Sequence, residues 1–188
     1  MRKRSALQST SRRMFAEVLS NTPSTTLVLG SGKRPVPGAI NHDHSKHGPH
    51  IDVVWNLDEL PWPPSDRTLD RIIALDVFEH LKLDVIDWVR ECWRILKPGG
   101  EVVLRVSAWD NPVSYRDPTH HRVFHEETFN YFDPRHPLYR EYGQMYFDLD
   151  DGTKCPTFNI VQVSRGNADP RWPDRGDICV VMRKVVAE

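Results

Sequence analysis

Two short segments of the chain carry acids and bases close enough together to support proton transfer. Glu79 and His80 are adjacent, and Asp117, His120 and His121 fall within a second short stretch. A carboxylate beside an imidazole can act as general acid and base, although Glu79 could equally serve only to order its loop. The density of charged and imidazole groups around Asp117 favours a pocket lining over a plain loop. The sequence does not rank His120 above His121.

A Gly-x-Gly motif follows the first predicted strand. Residues 25–29 are apolar or β-branched, and Gly30-Ser31-Gly32 comes directly after them. Glycine at the carboxyl end of a buried strand lets a nucleotide-type ligand approach the backbone. The proline-containing segment 33–38 cannot open a helix, so we expect the first crossover helix to be reduced or missing. Asp43 follows Gly30 by about 13 residues, against about 20 in a NAD site, which argues against a dehydrogenase.

Polar residues also follow the later strands. Asn56 and Asp58 come after a strand predicted at 51–55, where they could bind an adenine amino group or simply form a turn. The histidines of the preceding loop have no helical or hairpin register, so we expect no metal site there; they are His42, His44, His47 and His50. The cysteines have no metal-ligand spacing either, and their odd number argues against a disulfide framework.

A strand–helix–strand unit positions these segments. Apolar residues recur at three- and four-residue spacing between Val85 and Leu96, which predicts a helix with one buried face. Lys97-Pro98-Gly99-Gly100 should end that helix, and residues 101–106 are typical of a buried strand. With another apolar run at 70–76, this is a βαβ unit, the building block of parallel sheets covered by helices.

The whole pattern predicts an α/β fold: a Rossmann-like, doubly wound, mostly parallel sheet with antiparallel C-terminal strands. Alternating polar and apolar residues predict the closing strands, at 141–149, 157–165 and 177–186. At 188 residues, we expect one domain at 25–188 preceded by a tail and short helix at 1–24. A net charge of -1 gives no indication of nucleic acid or membrane as partner, and the cysteine usage suggests a cytoplasmic protein.

Five segments, in order, resemble the class I S-adenosylmethionine-dependent methyltransferases, in the small bacterial and phage branch known as methyltransferase type 11. They are LVLGSGKRPVPGAINHD, VVWNLDELPWP, ALDVFEHL, RILKPGGEVVLRV and DPTHHRVFHEETFNYF, and they span residues 26–132. The resemblance implies S-adenosyl-L-methionine as cofactor. Two positions depart from the family: Ser31 stands where many relatives have cysteine, and Asn56 where aspartate is common.

The resemblance also implies a role for each matching residue. The glycine loop, Gly30-Ser31-Gly32, would approach the methionine part of the cofactor, and Asp43 would bind the ribose hydroxyls. Asn56 and Leu57 would flank the adenine. Asp76 and Val77 would line the passage from cofactor to substrate, together with Glu79 and His80.

The expected reaction is methyl transfer to an oxygen or nitrogen acceptor on a small molecule, sugar or peptide. The candidate bases are those of the two acid–base segments: His120, His121 and Asp117, with Glu79 or His80 behind them. One alternative is a degenerate cofactor-binding domain that serves as a partner or regulatory subunit. A third alternative is a nucleic-acid methyltransferase. Two features argue against it: the chain has no Asn-Pro-Pro-aromatic signature after the fourth strand, and its overall charge is not basic. The sequence does not predict an oligomeric state.

Overall fold

A seven-stranded sheet forms the framework of the computed structural model, which describes residues 25–143, 156–166 and 176–186. The strands are β1 (Thr26–Leu29), β2 (Ile40–Asp43), β3 (Val53–Val54), β4 (Leu69–Leu75), β5 (Leu96–Ser107), β6 (Phe158–Gly166) and β7 (Asp177–Lys184). Their order across the sheet is β3-β2-β1-β4-β5-β7-β6. The first five strands pair in parallel, whereas β7 pairs antiparallel with both β5 and β6. The predicted fold class is therefore confirmed.

Within the described residues, the helices are few and short. They are α1 (Val85–Ile95), α2 (Pro112–Arg116), the 3-10 helices Phe78–His80 and Glu126–Phe132, and a π-helical turn at Tyr139–Gly143. That turn overlaps the start of the strand predicted at 141–149, so the prediction is wrong for 141–143. The rest of that predicted strand lies outside the described residues, as do the predicted tail and helix at 1–24. Across the described ranges, no helix is long and apolar enough to cross a membrane.

The connections from β1 to β4 contain turns instead of crossover helices. Between Leu29 and Ile40 the chain makes only turns, as the prolines predicted. The same holds for the connections from β2 to β3 and from β3 to β4. Asn41 braces the first connection, since its side-chain amide accepts from Val36 N at 2.9 Å and donates to Ala39 O at 3.0 Å.

The core lies on the side of the sheet that α1 covers. Asp84 caps this helix, and its face of Trp88, Val89, Cys92 and Ile95 is buried in one cluster with the inward residues of the central strands. Phe78 stacks on Trp88 with ring centroids 3.8 Å apart. Leu75, at the end of β4, is 44% exposed.

The junction between α1 and β5 differs from the prediction in one respect. Helix α1 ends at Ile95 as expected, but the strand begins at once, with Leu96 paired to Leu69. A register shift follows between Leu69 and Arg71, which accommodates the Pro98-Gly99 segment within the strand. Gly99 has a φ of 78° there, the left-handed conformation that favours glycine.

Candidate active site

The glycine loop lies at the carboxyl end of β1 in a conformation that requires glycine. Gly30 and Gly32 have φ values of 59° and 54°. A Cβ on Gly30 would lie 2.6 Å from Val77 Cγ2, closer than real contacts allow. Both the backbone angle and the contact therefore exclude larger side chains at Gly30. Ser31, between the two glycines, is buried.

His42 fixes the position of this loop from the neighbouring strand. Its Nε2 lies 3.0 Å from Trp55 O, and a carbonyl only accepts, so Nε2 carries the proton. Nδ1 is then free to accept from Gly30 N, at 3.4 Å. Burial lowers the pKa of His42 to about 4, so the ring is neutral at physiological pH. The sequence did not predict this role, although the position of His42, on the strand that follows the glycine loop, was a signal for it.

Asp43 ends β2 beside the same loop. Its carboxylate accepts from Gly32 N at 2.9 Å and from His44 N at 2.7 Å. The rings of His44 and His47 also lie 2.7 and 3.3 Å from it. Burial opposes ionisation of Asp43, but the N–H groups of Gly32 and His44 and the ring of His47 outweigh it and hold the pKa below its usual range. His50 completes the arrangement by contacting Gly32 O at 2.8 Å.

Asn56 and Asp58 both lie in the turn after β3. Asn56 Oδ1 accepts from Asp58 N at 3.0 Å, and Asp58 Oδ1 accepts from the backbone N–H groups of Lys82 and Leu83. The turn-forming interpretation is therefore observed for Asn56, whereas the Asp58 carboxylate connects this turn to the segment that precedes α1. Asn56 is nevertheless exposed, and its amide group remains within reach of a ligand.

Asp76 leaves β4 in a left-handed conformation, with a φ of 58°. Arg105 holds it there, since its guanidinium makes a two-pronged ion pair with the carboxylate and Arg105 O accepts from Asp76 N at 2.9 Å. A non-glycine residue in this region is strained and needs such support.

Glu79 is fully buried behind the strand end. Its Oε1 accepts from Ser107 N at 3.1 Å, while no described residue hydrogen-bonds to Oε2. Burial, assisted by Asp76, raises the pKa of Glu79 to about 7. Glu79 also accepts a hydrogen bond on its backbone oxygen from His121 N, at 2.8 Å, which joins the two acid–base segments.

The structure brings His80, Asp117 and His120 together, although they belong to two segments about 40 residues apart. His80 Nδ1 lies 2.9 Å from Thr119 Oγ1, which donates to Asp117 Oδ1 at 2.6 Å. The ring of His120 packs edge to face against His80, with centroids 4.6 Å apart. Burial and the neighbouring His120 lower the pKa of His80, and the hydrogen bonds from Thr119 lower that of Asp117. His121 points elsewhere and is exposed.

One cavity of about 770 Å³ joins the strand ends. Its lining includes seven of the predicted cofactor residues, Gly30, Gly32, Asp43, Asn56, Leu57, Asp76 and Val77, together with His80. Among the predicted residues that do not line it are Ser31, Glu79, Asp117, His120 and His121. This size lies within the range of small-molecule and cofactor sites.

Part of the chain is similar to known methyltransferases. The family model of a methyltransferase domain, type 11, matches residues 36–104. A probable S-adenosylmethionine-dependent methyltransferase of Mycolicibacterium smegmatis is 43% identical over 53 residues, which are 28% of this chain and 20% of that protein. Over residues 36–104, the chain is therefore similar to the methyltransferase domains of type 11. It spans only about a fifth of the length of the curated relative that it matches.

Solved structures of methyltransferases share the fold of this chain. The methyltransferase in complex with the Trm112 activator of Haloferax volcanii is 16% identical, with a TM-score of 0.54 over 97% of this chain and 93% of that chain. A methyltransferase of Mesorhizobium loti is 16% identical, with a TM-score of 0.51 over 89% and 96%. A variant 16S rRNA (adenine(1408)-N(1))-methyltransferase of Catenulisporales acidiphilia, solved with its cosubstrate SAM, is 11% identical, with a TM-score of 0.52 over 94% and 92%.

Proposed function

We propose that this domain transfers a methyl group from S-adenosyl-L-methionine to an oxygen or nitrogen atom of an acceptor held beside His80. The cofactor follows from the family. The described residues fit it, because the cavity has the volume of a cofactor site and is lined by the glycines of the loop, Gly30 and Gly32, and by the carboxylate of Asp43.

Each part of the cofactor has a matching group in the cavity. The glycine loop would take the methionine portion, where Gly30 and Gly32 keep the backbone accessible. Asp43 would accept from the ribose hydroxyls, and Leu57 with Asn56 would flank the adenine. The rings of His44 and His47 already contact Asp43, so the ribose would displace them from its carboxylate.

In methyl transfer the main task of the protein is to position the two reactants. Bound S-adenosylmethionine supplies an electrophilic methyl group on a sulfonium with a neutral thioether as leaving group. A lone pair of the acceptor forms the new bond to carbon while the carbon–sulfur electron pair goes to sulfur. The residues must align the acceptor and ease the loss of its proton.

The observation that carries the proposal is the meeting of the two acid–base segments at the cavity. His80 lines the cavity, and Thr119, Asp117 and His120 support it from behind. A degenerate domain that only bound the cofactor would need no such arrangement. The acceptor is proposed to be a small molecule, sugar or peptide, consistent with the near-neutral net charge of -1.

A nucleic acid is the competing acceptor. The fold is shared with a protein that is named as a 16S rRNA methyltransferase. An assay of radiolabelled methyl transfer to small hydroxyl and amine compounds, peptides and RNA separates the two classes directly. Incorporation into RNA alone would overturn the proposed acceptor class while leaving the reaction in place.

Calorimetric titration of the full chain with S-adenosylmethionine and its demethylated product tests the cofactor site. We expect micromolar binding that Asp43→Asn weakens at least tenfold, about 1.4 kcal/mol, because the charge for the ribose hydroxyls is lost. Asp43→Asn retains an oxygen that can accept from Gly32 N, so the loop is preserved. Asp87→Asn, on the outer side of α1, is the matched control and should bind like the parent. Absence of binding by either compound would contradict the proposal.

A further inference from the structure

Three potential metal ligands meet beside the cavity. One nitrogen from each imidazole of His80 and His120 and one carboxylate oxygen of Asp117 lie within 4.8 Å of one another. The side chain of His120 is only 4% exposed, whereas that of Asp117 is 40% exposed. We propose that these three residues, the His–Asp–His cluster, bind a divalent transition-metal ion of the zinc class.

The hydrogen bond to Thr119 determines which nitrogen of His80 could ligate. The Thr119 hydroxyl has one hydrogen, which it donates to Asp117 Oδ1 at 2.6 Å. It can therefore only accept from His80 Nδ1, at 2.9 Å, so Nδ1 carries the proton. Nε2 is left with its lone pair, and no described residue hydrogen-bonds to it.

His120 is oriented in the same way by the backbone. Its Nδ1 lies 3.3 Å from Ser114 O in α2, and a carbonyl can only accept, so Nδ1 is again the protonated nitrogen. The lone pair of His120 Nε2 faces Asp117 Oδ2 at 3.9 Å, beyond hydrogen-bond distance. Ring N–H groups directed at a hydroxyl or a backbone carbonyl are the usual support of metal-ligating histidines.

Nε2 of each ring and Oδ2 of Asp117 are therefore the atoms with electron pairs available to ligate an ion. The second oxygen of Asp117 is anchored too, because Oδ1 accepts from Thr119 N at 2.9 Å as well as from the hydroxyl. A proton could bridge His120 and Asp117, but it would leave His80 Nε2 without a partner. A cation satisfies all three donors together.

The donor set also selects the kind of cation. Two neutral imidazoles and one carboxylate suit zinc and its neighbours, while magnesium and calcium prefer oxygen ligands. Ligands of a tetrahedral zinc ion lie about 3.3 Å apart, so the cluster must close slightly around the ion. The partly exposed Asp117 side chain has the freedom to do so.

A metal ion held here would act on the acceptor, and this part of the inference rests on the proposed function. Three protein ligands leave coordination positions open, and His80 places them beside the cavity. An acceptor hydroxyl bound at an open position would lose its proton to water more readily, because the cation stabilises the resulting oxyanion. That oxygen would then form the bond to the methyl carbon.

Titration of the metal-free full chain with Zn²⁺ by calorimetry, and with Co²⁺ by visible absorption, tests the site without an activity assay. We expect one ion per chain with a Kd of about 1 µM or tighter. His120→Ala and Asp117→Asn should each weaken binding at least tenfold, and Thr119→Val about 10- to 100-fold through loss of ligand support. Circular dichroism establishes whether each variant is folded. If His120→Ala is unfolded, the metal affinity of Asp117→Asn tests the site instead, because Asp117 is partly exposed.

His121→Ala is the matched control, since it removes an imidazole from the adjacent, exposed position. It should bind the metal like the parent, and so should His47→Ala from the histidine-rich loop. Absence of saturable binding by the parent, or equal binding by His120→Ala and His121→Ala, would overturn the metal site. Titration of the same samples with S-adenosylmethionine separates the two proposals, because cofactor binding does not require the His–Asp–His cluster.

Discussion

At the scale of single residues, two of the histidines after the glycine loop hold that loop in place, a role that their spacing in the sequence did not indicate. His42 connects Gly30 N to Trp55 O through one neutral ring. Its ring lies against Trp55 with centroids 3.7 Å apart, and the residue is almost fully buried. His50 secures the carbonyl of Gly32 at 2.8 Å. The glycine loop is therefore held by side chains from the next strand and loop, in place of the helix that would otherwise follow it.

His42 should make the stability of the fold depend on pH. Its folded pKa of about 4 lies below the ordinary value of 6.5. Between these values the unfolded chain binds a proton that the folded chain does not, so stability is complete above pH 6.5 and falls as the pH drops toward 4. The loss is about 3 kcal/mol. Urea unfolding of the parent and His42→Gln between pH 7.5 and 4 measures it.

Gln is the chosen replacement because it donates and accepts but does not titrate. All other residues are the same in both proteins, so the difference between the two curves reports on His42. Parallel pH dependence in the parent and the variant would contradict the assignment.

At the scale of elements, α1 has a second contribution besides covering the sheet. Glu91 Oε2 accepts from the buried Trp62 N at 2.8 Å, and Arg94 pairs with the same carboxylate at 2.7 Å. Arg94 also donates to Trp62 O and Pro64 O, each at 2.9 Å. These bonds secure the long connection from β3 to β4, which contains no helix of its own and carries Asn56 and Leu57 to the cavity.

Glu91→Ala should therefore be costly. It leaves a buried backbone N–H without its acceptor and removes one of the two carboxylates that pair with Arg94, a combined loss of about 3 kcal/mol. Glu91→Gln keeps the acceptor and should cost about 1 kcal/mol. Urea midpoints measure both losses of stability.

Asp87→Ala, on the same helix, is the control. The exposed carboxylate of Asp87 is 3.7 Å from Arg90, and its removal should change stability by less than about 0.5 kcal/mol. Equal effects of Glu91→Ala and Asp87→Ala would refute this account of the connection.

At the scale of the whole molecule, the cavity is formed by segments that are far apart in the chain. The glycine loop, the end of β2, the turn after β3 and the exit of β4 all contribute lining residues. A ligand that contacts all of them must stabilise the folded state as a unit, because the unfolded chain has no such site.

Saturation with S-adenosylmethionine should accordingly raise the free energy of unfolding. At about 100 times its Kd, the gain is about 2.7 kcal/mol. At that same ligand concentration Asp43→Asn should gain less, by about 1.4 kcal/mol for a tenfold loss of affinity. Urea unfolding with and without ligand gives both values. An equal gain in the two proteins would mean that Asp43 does not contribute to binding.

Local patterns were sufficient to predict the framework. The helical spacing from Val85 to Leu96 and the apolar runs on either side of it predicted α1, β4 and β5, because burial of one face imposes these periods on any sequence that forms such elements. Glycines at the end of β1 and prolines after them predicted a close-approach loop and the absence of the first crossover helix. The resemblance to the methyltransferases added the order of the predicted cofactor residues along the sheet, and seven of these predicted residues line one cavity.

Only the tertiary structure decided which polar groups meet. Glu79 and His80 are neighbours in sequence, yet the turn after β4 buries Glu79 against Ser107 and leaves His80 at the cavity. His120 and His121 are likewise adjacent, and only His120 faces His80. Adjacent residues diverge because the backbone directs successive side chains to different sides, and which side faces the cavity depends on how two distant loops pack. The packing of distant loops cannot be predicted from a local sequence pattern.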